Sequence, residues 1–190
     1  MSMKLNIIIG STRPGRVGPS IAKWVGDFAR EHGKFEVEVV DLDDFKLPFL
    51  DEPKHPRLQE YEHEHTRKWS ESVASADAFI FVTPEYDFFA PATLVNALQV
   101  VSKEWGYKPA GVVSYGGVSG GLRAAQELRT LIVNLNAHPL PQVVPIPFFP
   151  KFLGEDGKLT PNDEMKAGAT GLLDELYKWA GPLAEMRKAS

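Results

Sequence analysis

Short apolar runs alternate along the chain with longer stretches in which apolar side chains recur every three or four positions. Residues 4–10 (KLNIIIG), 35–41 (FEVEVVD), 77–83 (DAFIFVT) and 109–115 (PAGVVSY) are β-branched or aromatic runs bounded by Gly, Pro or Asp, and they read as strands. A fifth strand fits residues 140–147, with limits blurred by its prolines. After Pro19, the positions Ile21, Trp24, Val25 and Phe28 share one helical face that stops at Gly33. Leu58, Tyr61, Trp69 and Val73 keep a looser helical stripe over residues 57–76. Leu94, Val95, Leu98, Val101 and Trp105 form another behind Pro91. Leu122, Ala125, Leu128, Ile132 and Leu135 give the cleanest stripe, and a last helix starts near Asp163 with Met165, Ala169, Leu172, Leu176 and Trp179.

Strands that are apolar on both faces and alternate strictly with helices predict a parallel sheet covered on each side, a doubly wound α/β fold of five strands. The residues from 142 to 161 read as a strand exit and a long surface loop, so residues 1–190 form a single domain. Ligands of such folds sit beyond the carboxyl ends of the strands, near the point where strand order reverses. That places the candidate chemistry in residues 10–20, 83–91 and 114–121.

Composition narrows the chemistry. Lys and Arg number 21 against 25 Asp and Glu, for a formal charge of -4 with no long block of one sign, so a nucleic-acid partner is not expected. The absence of cysteine removes disulfides, thiolate metal sites and a Cys nucleophile, and leaves redox chemistry to a bound cofactor. No run has the length of a membrane span, and the opening MSMKLNIIIGSTR lacks the marks of a signal peptide. A soluble, cytoplasmic protein is expected.

The first strand leads through Gly10, Gly15 and Gly18 into a helix expected to begin at Pro19 and Ser20. Free amides and the positive helix end would face a ligand there. Ser11 and Thr12 add hydroxyls, while Arg13 and Arg16 add guanidinium groups suited to phosphate oxygens. So much positive charge suits a terminal phosphate monoester better than an internal pyrophosphate. The glycine spacing is neither GxGxxG nor that of a P-loop, although Asp41, at the end of the second strand, is where a dinucleotide fold would carry its ribose acid.

Two further turns share that edge. Thr83-Pro84-Glu85-Tyr86-Asp87-Phe88-Phe89-Ala90-Pro91 is aromatic, and Ser114-Tyr115-Gly116-Gly117-Val118-Ser119-Gly120-Gly121 is rich in glycine whose backbone can approach a ligand closely. Aromatic side chains flanking a flat ring, and backbone donors along its edge, suit a flavin. The GSTRPGR loop, the PEYDFFAPATLVNAL segment and the KPAGVVSYGGVSGGLRAAQELR segment, in that order, resemble the NADPH-dependent FMN reductase family, over roughly residues 4–147.

The resemblance implies a flavodoxin-like fold, FMN bound non-covalently, NADPH or NADH as hydride donor, and a quinone, azo compound or free flavin as acceptor, in a homodimer or homotetramer. It implies that Ser11, Arg13 and the turn Arg16, Val17, Gly18, Pro19 and Ser20 hold the phosphate. Pro84, Glu85, Tyr86, Asp87 and Phe88 would border the ring, and Ser114, Tyr115, Gly116 and Gly117 its pyrimidine side. No side chain is required as an obligatory acid or base. The chain departs from the family where Asp87 replaces the usual Asn, and where Val95-Asn96-Ala97-Leu98-Gln99 replaces Lys-Asn-Ala-Ile-Asp. Asp87 is expected to face away from the ring or to bond to backbone, since its charge would repel a reduced flavin.

Other patterns in the chain compete with this reading. An electron carrier or flavin-responsive binding protein would share the fold without efficient turnover of NAD(P)H. Gly117-Val118-Ser119-Gly120-Gly121 matches the GxSxG of a hydrolase elbow, but the later acids and His138 come in the wrong order for a triad. His55, His63 and His65 could suggest a metal, yet two positions apart on a helix would send His63 and His65 to nearly opposite sides.

Overall fold

The computed structural model describes residues 2–189. Five parallel strands, β1 (Met3–Ile9), β2 (Phe35–Asp41), β3 (Ala78–Pro84), β4 (Pro109–Gly116) and β5 (His138–Pro147), form one sheet in the order β2-β1-β3-β4-β5. The helices are α1 (Gly18–His32), α2 (Leu42–Phe45), α3 (Glu64–Ser75), α4 (Ala92–Gln99), α5 (Leu122–Asn134) and α6 (Asp163–Ala189). The chain leaves β1 outward to β2 and then returns past it to β3, so strand order reverses between β1 and β3. This is the strand order of a doubly wound, flavodoxin-like α/β domain.

Side chains alternate across the sheet with period two and sort into two cores. Leu5, Ile7, Ile9, Val113 and Tyr115 pack with α1 and α6, whereas Ile8, Phe79, Phe81 and Ala110 pack with α3, α4 and α5. The inner strand β3 is buried along its whole length, while the edge strand β2 alternates. β5 is the other edge, which is why a strand with four prolines is tolerated there.

Four expectations change. The stripe behind Pro91 is helical only to Gln99, where α4 ends, and Trp105 closes a separate 3₁₀ turn, Lys103–Trp105. The stripe over residues 57–76 is not one helix: Pro56–Leu58 form a 3₁₀ turn, Gln59 is left-handed at φ 56°, and α3 starts only at Glu64. Its start is fixed from a distance, because the Glu52 carboxylate accepts from the amides of Glu62 (2.7 Å) and His63 (3.1 Å). His63 therefore precedes the helix in extended backbone, and the His63 and His65 rings stack at 5.2 Å with both Nε2 atoms directed at Asp51. They do not diverge as helical spacing predicts; no group of three or more His, Cys, Asp or Glu among the described residues is arranged to hold a metal ion. The segment after β5 is more than a surface loop. A 3₁₀ turn, Phe149–Phe152, packs against the α1/α6 core, and Leu153 bridges to Leu159.

Candidate functional site

The three turns meet at the carboxyl edge, where they enclose a cleft of about 540 Å³. Its walls are Arg13, Gly15, Arg16 and Val17 from the first turn, Pro84, Glu85 and Tyr86 from the second, and Tyr115, Gly116 and Gly117 from the third. Phe148, Phe149, Pro150 and Lys151, from the exit of β5, close the remaining side. A larger hollow of about 660 Å³, lined by Arg57, Lys103, Tyr107 and, from α6, Arg187, gathers none of these turns.

The first turn is pinned at both ends. The Gly10 amide continues the sheet to the Val82 carbonyl (2.9 Å), and its own carbonyl accepts from Thr93 Oγ1 of α4 (2.8 Å). Gly15 adopts φ +72°, and a Cβ built on it would meet nothing within 4 Å, so this backbone faces open space. α1 opens at Gly18 with no side-chain cap, leaving its positive end to a ligand.

The two arginines are not equivalent. Arg16 forms a two-pronged pair with Asp41, Nη1 to Oδ1 at 2.6 Å and Nη2 to Oδ2 at 2.7 Å, and its Nη1 also donates to the Ser11 carbonyl at 2.8 Å. The hydrogen bond to Asp41 holds the Arg16 guanidinium above its already high pKa, against the opposing effect of burial. Arg16 thus braces the loop, and Asp41 is occupied by Arg16 and by the Asp43 amide at the start of α2, which removes its candidacy as a ribose acid. The Arg13 guanidinium has no partner among the described residues and is exposed at the cleft mouth.

Ser11 is only 1% exposed, and its hydroxyl lies 2.8 Å from the Tyr86 phenolic oxygen. Tyr86 opens a two-residue turn in which its N–H bonds to the Phe89 carbonyl (2.9 Å) and the Phe89 N–H bonds back (3.0 Å). Both central residues are left-handed, Asp87 at φ 48° and Phe88 at φ 75°, the type I′ pattern. Asp, like Asn, tolerates that conformation, which explains the residue type at 87 without any contact to a ligand. Phe88 instead points outward, 3.8 Å beneath the Arg123 guanidinium.

Glu85 bridges the second and third turns. Its Oε1 accepts from Arg123 Nε (2.7 Å), and its Oε2 from Ser119 Oγ (3.0 Å) and the Arg123 amide (3.1 Å). Burial opposes ionisation, but these donors outweigh it and hold the Glu85 carboxyl below the usual range. Ser119, the Ser of the GxSxG match, is therefore a carboxylate partner, while His138 begins β5 at the opposite edge, where its ring meets Trp179 at a tilt. A hydrolase triad is not assembled.

Tyr115 stands edge-on to Phe149, with ring centroids 5.5 Å apart, and burial pushes its phenol well above the usual tyrosine range. Ser114 has the opposite parity along β4, so its hydroxyl turns away from the cleft and donates to the Gly120 carbonyl (2.8 Å). A Cβ built on Gly117 would meet nothing within 4 Å, while the Gly117 carbonyl accepts from the Phe148 amide (3.0 Å) and straps the β5 exit to the third turn.

Of the residues expected at the site, Arg13, Arg16, Val17, Pro84, Glu85, Tyr86, Tyr115, Gly116 and Gly117 line the cleft. Ser11 lies just beneath it on Tyr86. Gly18 is buried under the helix start against Ile9 and Tyr115, and Ser20 faces a separate hollow with Trp24 and Phe28. Pro19, Asp87, Phe88 and Ser114 are likewise absent from the wall. The expectation missed the braces: Asp41 on Arg16, Thr93 on Gly10, and Arg123 on Glu85. Phe149 and its neighbours follow a strand's carboxyl end directly, in the loop after residue 147 that the sequence offers for the open side of the site.

Comparison with known proteins identifies the family. The sequence profile of the family described as NADPH-dependent FMN reductase matches residues 3–151. An NAD(P)H-dependent FMN reductase of Schizosaccharomyces pombe is 45% identical over 125 residues, 65% of this chain and 62% of that protein, so the match spans less than two thirds of its length. A Saccharomyces cerevisiae protein of the same description is 37% identical over 70% of this chain and 75% of its own. Among solved structures, the flavoenzyme NAD(P)H:(acceptor) oxidoreductase FerB of Paracoccus denitrificans superposes with a TM-score of 0.71 over 95% of this chain and 98% of that one, at 21% identity. A streptococcal flavodoxin superposes with a TM-score of 0.58 over 92% of this chain and 98% of that one. With the family profile covering residues 3–151, and so all three turns of the cleft, the chain belongs to the NADPH-dependent FMN reductase family.

Proposed function

We propose that the cleft binds FMN and that the protein is an NAD(P)H-dependent oxidoreductase acting on quinones, azo compounds or free flavins. The observation that carries the reading is the unpartnered Arg13 guanidinium beside an uncapped helix start, at one end of a cleft whose other walls are aromatic side chains and glycine backbone. A phosphate dianion suits the first end and a flat ring the second. FMN bound there would supply two-electron transfer between NAD(P)H and the acceptor.

The chain's own residues bind, orient and exclude water. Arg13, with the amides from Gly15 to Gly18, holds the phosphate, while Arg16, neutralised by Asp41, keeps the loop in shape. Tyr86 and Phe149 bound the ring, and Gly116 and Gly117 offer backbone at its edge. In the wall, Glu85 is held ionised and Tyr115 is held neutral. Rate enhancement comes from alignment and from the electrostatics around the ring.

The reading extends to a cytoplasmic homodimer or homotetramer. It is supported by the family and by the exposed Phe49, Leu50, Phe89 and Val118, all from segments that follow strands at or near the cleft edge. No helix among the described residues is long and apolar enough to cross a membrane.

Titration of the apoprotein with FMN and with riboflavin, followed by flavin fluorescence, tests the site. FMN is expected to bind about a hundredfold or more tightly than riboflavin, a difference of about 3 kcal/mol for the charge-assisted phosphate contacts. Equal affinities would remove the phosphate loop from the site.

A further inference from the structure

Glu85, Ser119, Arg123 and Phe88 form a cluster that the binding of phosphate and ring does not require. The Glu85 side chain is 7% exposed, although the residue lies in the cleft wall. Its carboxylate reaches away from the cleft to the first turn of α5, where Gly121 provides no side-chain cap. There it accepts from the Arg123 amide and from Ser119 Oγ, doing from another segment what an N-cap does locally.

The Arg123 side chain then closes over the top. Nε donates to Glu85 Oε1 at 2.7 Å, and the guanidinium plane lies 3.8 Å from the Phe88 ring centroid. Phe88 is a bulky residue held at φ 75°, a conformation that it does not adopt without support. A cation over its ring supplies that support and fixes the turn from which Tyr86 reaches Ser11. One arginine at the start of α5 thus touches the second turn twice, anchors the third through the carboxylate it shares with Ser119, and reaches the phosphate loop through Tyr86.

Its second effect is electrostatic. The Glu85 carboxylate is a negative charge just behind the wall of a cleft that, on the reading above, must accept two electrons. Arg123 is the cation paired with it: Lys151 sits over Phe148, and Arg16 belongs to Asp41.

We propose that Arg123 is a positioning residue of the flavin cleft: it sets the spacing of the second and third turns and masks the Glu85 charge from a reduced ring. The inference rests on the flavin reading, and the experiment separates the two. FMN dissociation constants and the two-electron midpoint potential are measured, with reference dyes, for wild type, Arg123→Gln, Arg123→Lys and the double variant Glu85→Gln/Arg123→Gln.

Arg123→Gln should weaken oxidised FMN about tenfold and the reduced form about tenfold more, which corresponds to a potential about 30 mV more negative. Arg123→Lys keeps the charge without the planar fork, so it should lose affinity while its potential stays with wild type. The double variant has no charge to mask and should return to the wild-type potential at reduced affinity. Unchanged affinity and potential in Arg123→Gln, or a shift that persists in the double variant or appears equally in Arg123→Lys, would overturn the proposal. Failure of the wild type itself to bind FMN would instead overturn the flavin reading.

Discussion

Tyr86 and Ser11, 75 positions apart, place their hydroxyl oxygens 2.8 Å from each other at the point where strand order reverses. The bond ties the second turn of the cleft to the first. A Ser hydroxyl can accept from the phenol and still donate outward, so the two contacts reinforce each other. Tyr86→Phe should weaken FMN about threefold to tenfold, the worth of one hydrogen bond. Ser11→Ala should weaken it at least as much, and the double variant by less than the product. Strictly multiplicative losses in a double-mutant cycle would show that the bond transmits nothing to the ligand.

Arg13 and Arg16 should separate by phenotype. Arg13→Ala removes the free cation, so it should reduce FMN affinity about tenfold to a hundredfold, leave riboflavin binding unchanged, and flatten the salt dependence. Arg16→Ala strips a half-buried Asp41 of its partner and should lower the thermal midpoint as well, with loss for both ligands. If Arg13→Ala binds FMN like wild type, that residue is not the phosphate contact.

Two glycines of the third turn make opposite predictions. Gly117 has open space where a Cβ would go, so Gly117→Val should fold with near-native stability yet lose FMN, because the side chain fills the cleft. Gly121 sits at φ +82°, and a Cβ there would lie 2.8 Å from Ser114 Cβ and from the Tyr115 amide. Gly121→Ala should therefore destabilise the fold by about 2 kcal/mol or more. Chemical denaturation alongside flavin titration checks both. Flavin binding retained by Gly117→Val would move the ring away from that backbone.

Lys108 predicts a pH dependence unrelated to the cleft. It is 3% exposed, and its amine donates to the Val73 (2.8 Å) and Ala74 (3.0 Å) carbonyls at the end of α3. Burial lowers its pKa to about 7, with the Arg187 charge acting in the same direction and Asp77 and Glu104 opposing. The unfolded chain keeps that proton to about pH 10.4. Between those limits the unfolded state binds more protons, so this group makes stability rise with pH by about 1 kcal/mol per unit, and the contribution levels off above pH 10. Urea midpoints at pH 7.5 and 9.5 should show a rise in wild type that is absent in Lys108→Met. Equal slopes would place the Lys108 pKa near its ordinary value.

The strands and the anion loop were legible in the sequence because their signals are local: β-branched runs, punctuating glycines and helical stripes. What the sequence hid was long-range partnership. Asp41 lies 25 positions from Arg16, and only its side chain reveals that one of two apparent phosphate ligands is a brace. Glu52 sets the start of α3 from ten residues away, which a stripe of apolar positions cannot register. Ser114 and Tyr115 are adjacent in sequence, yet the alternation of β4 sends one into the cleft wall and the other behind it. Phe88 was misread for a related reason, since the left-handed turn that carries it outward is a property of backbone angles, not of aromatic composition.

The central claim is that this cleft binds FMN and passes electrons from NAD(P)H to an acceptor. Anaerobic addition of NADPH or NADH to the FMN-loaded protein, followed by visible absorption, tests it most directly. The account predicts that the oxidised flavin bands bleach within the time of a catalytic turnover and return in full when a quinone is added. Flavin bands that persist under excess NADPH and NADH would contradict it and leave an FMN-binding electron carrier on the same fold.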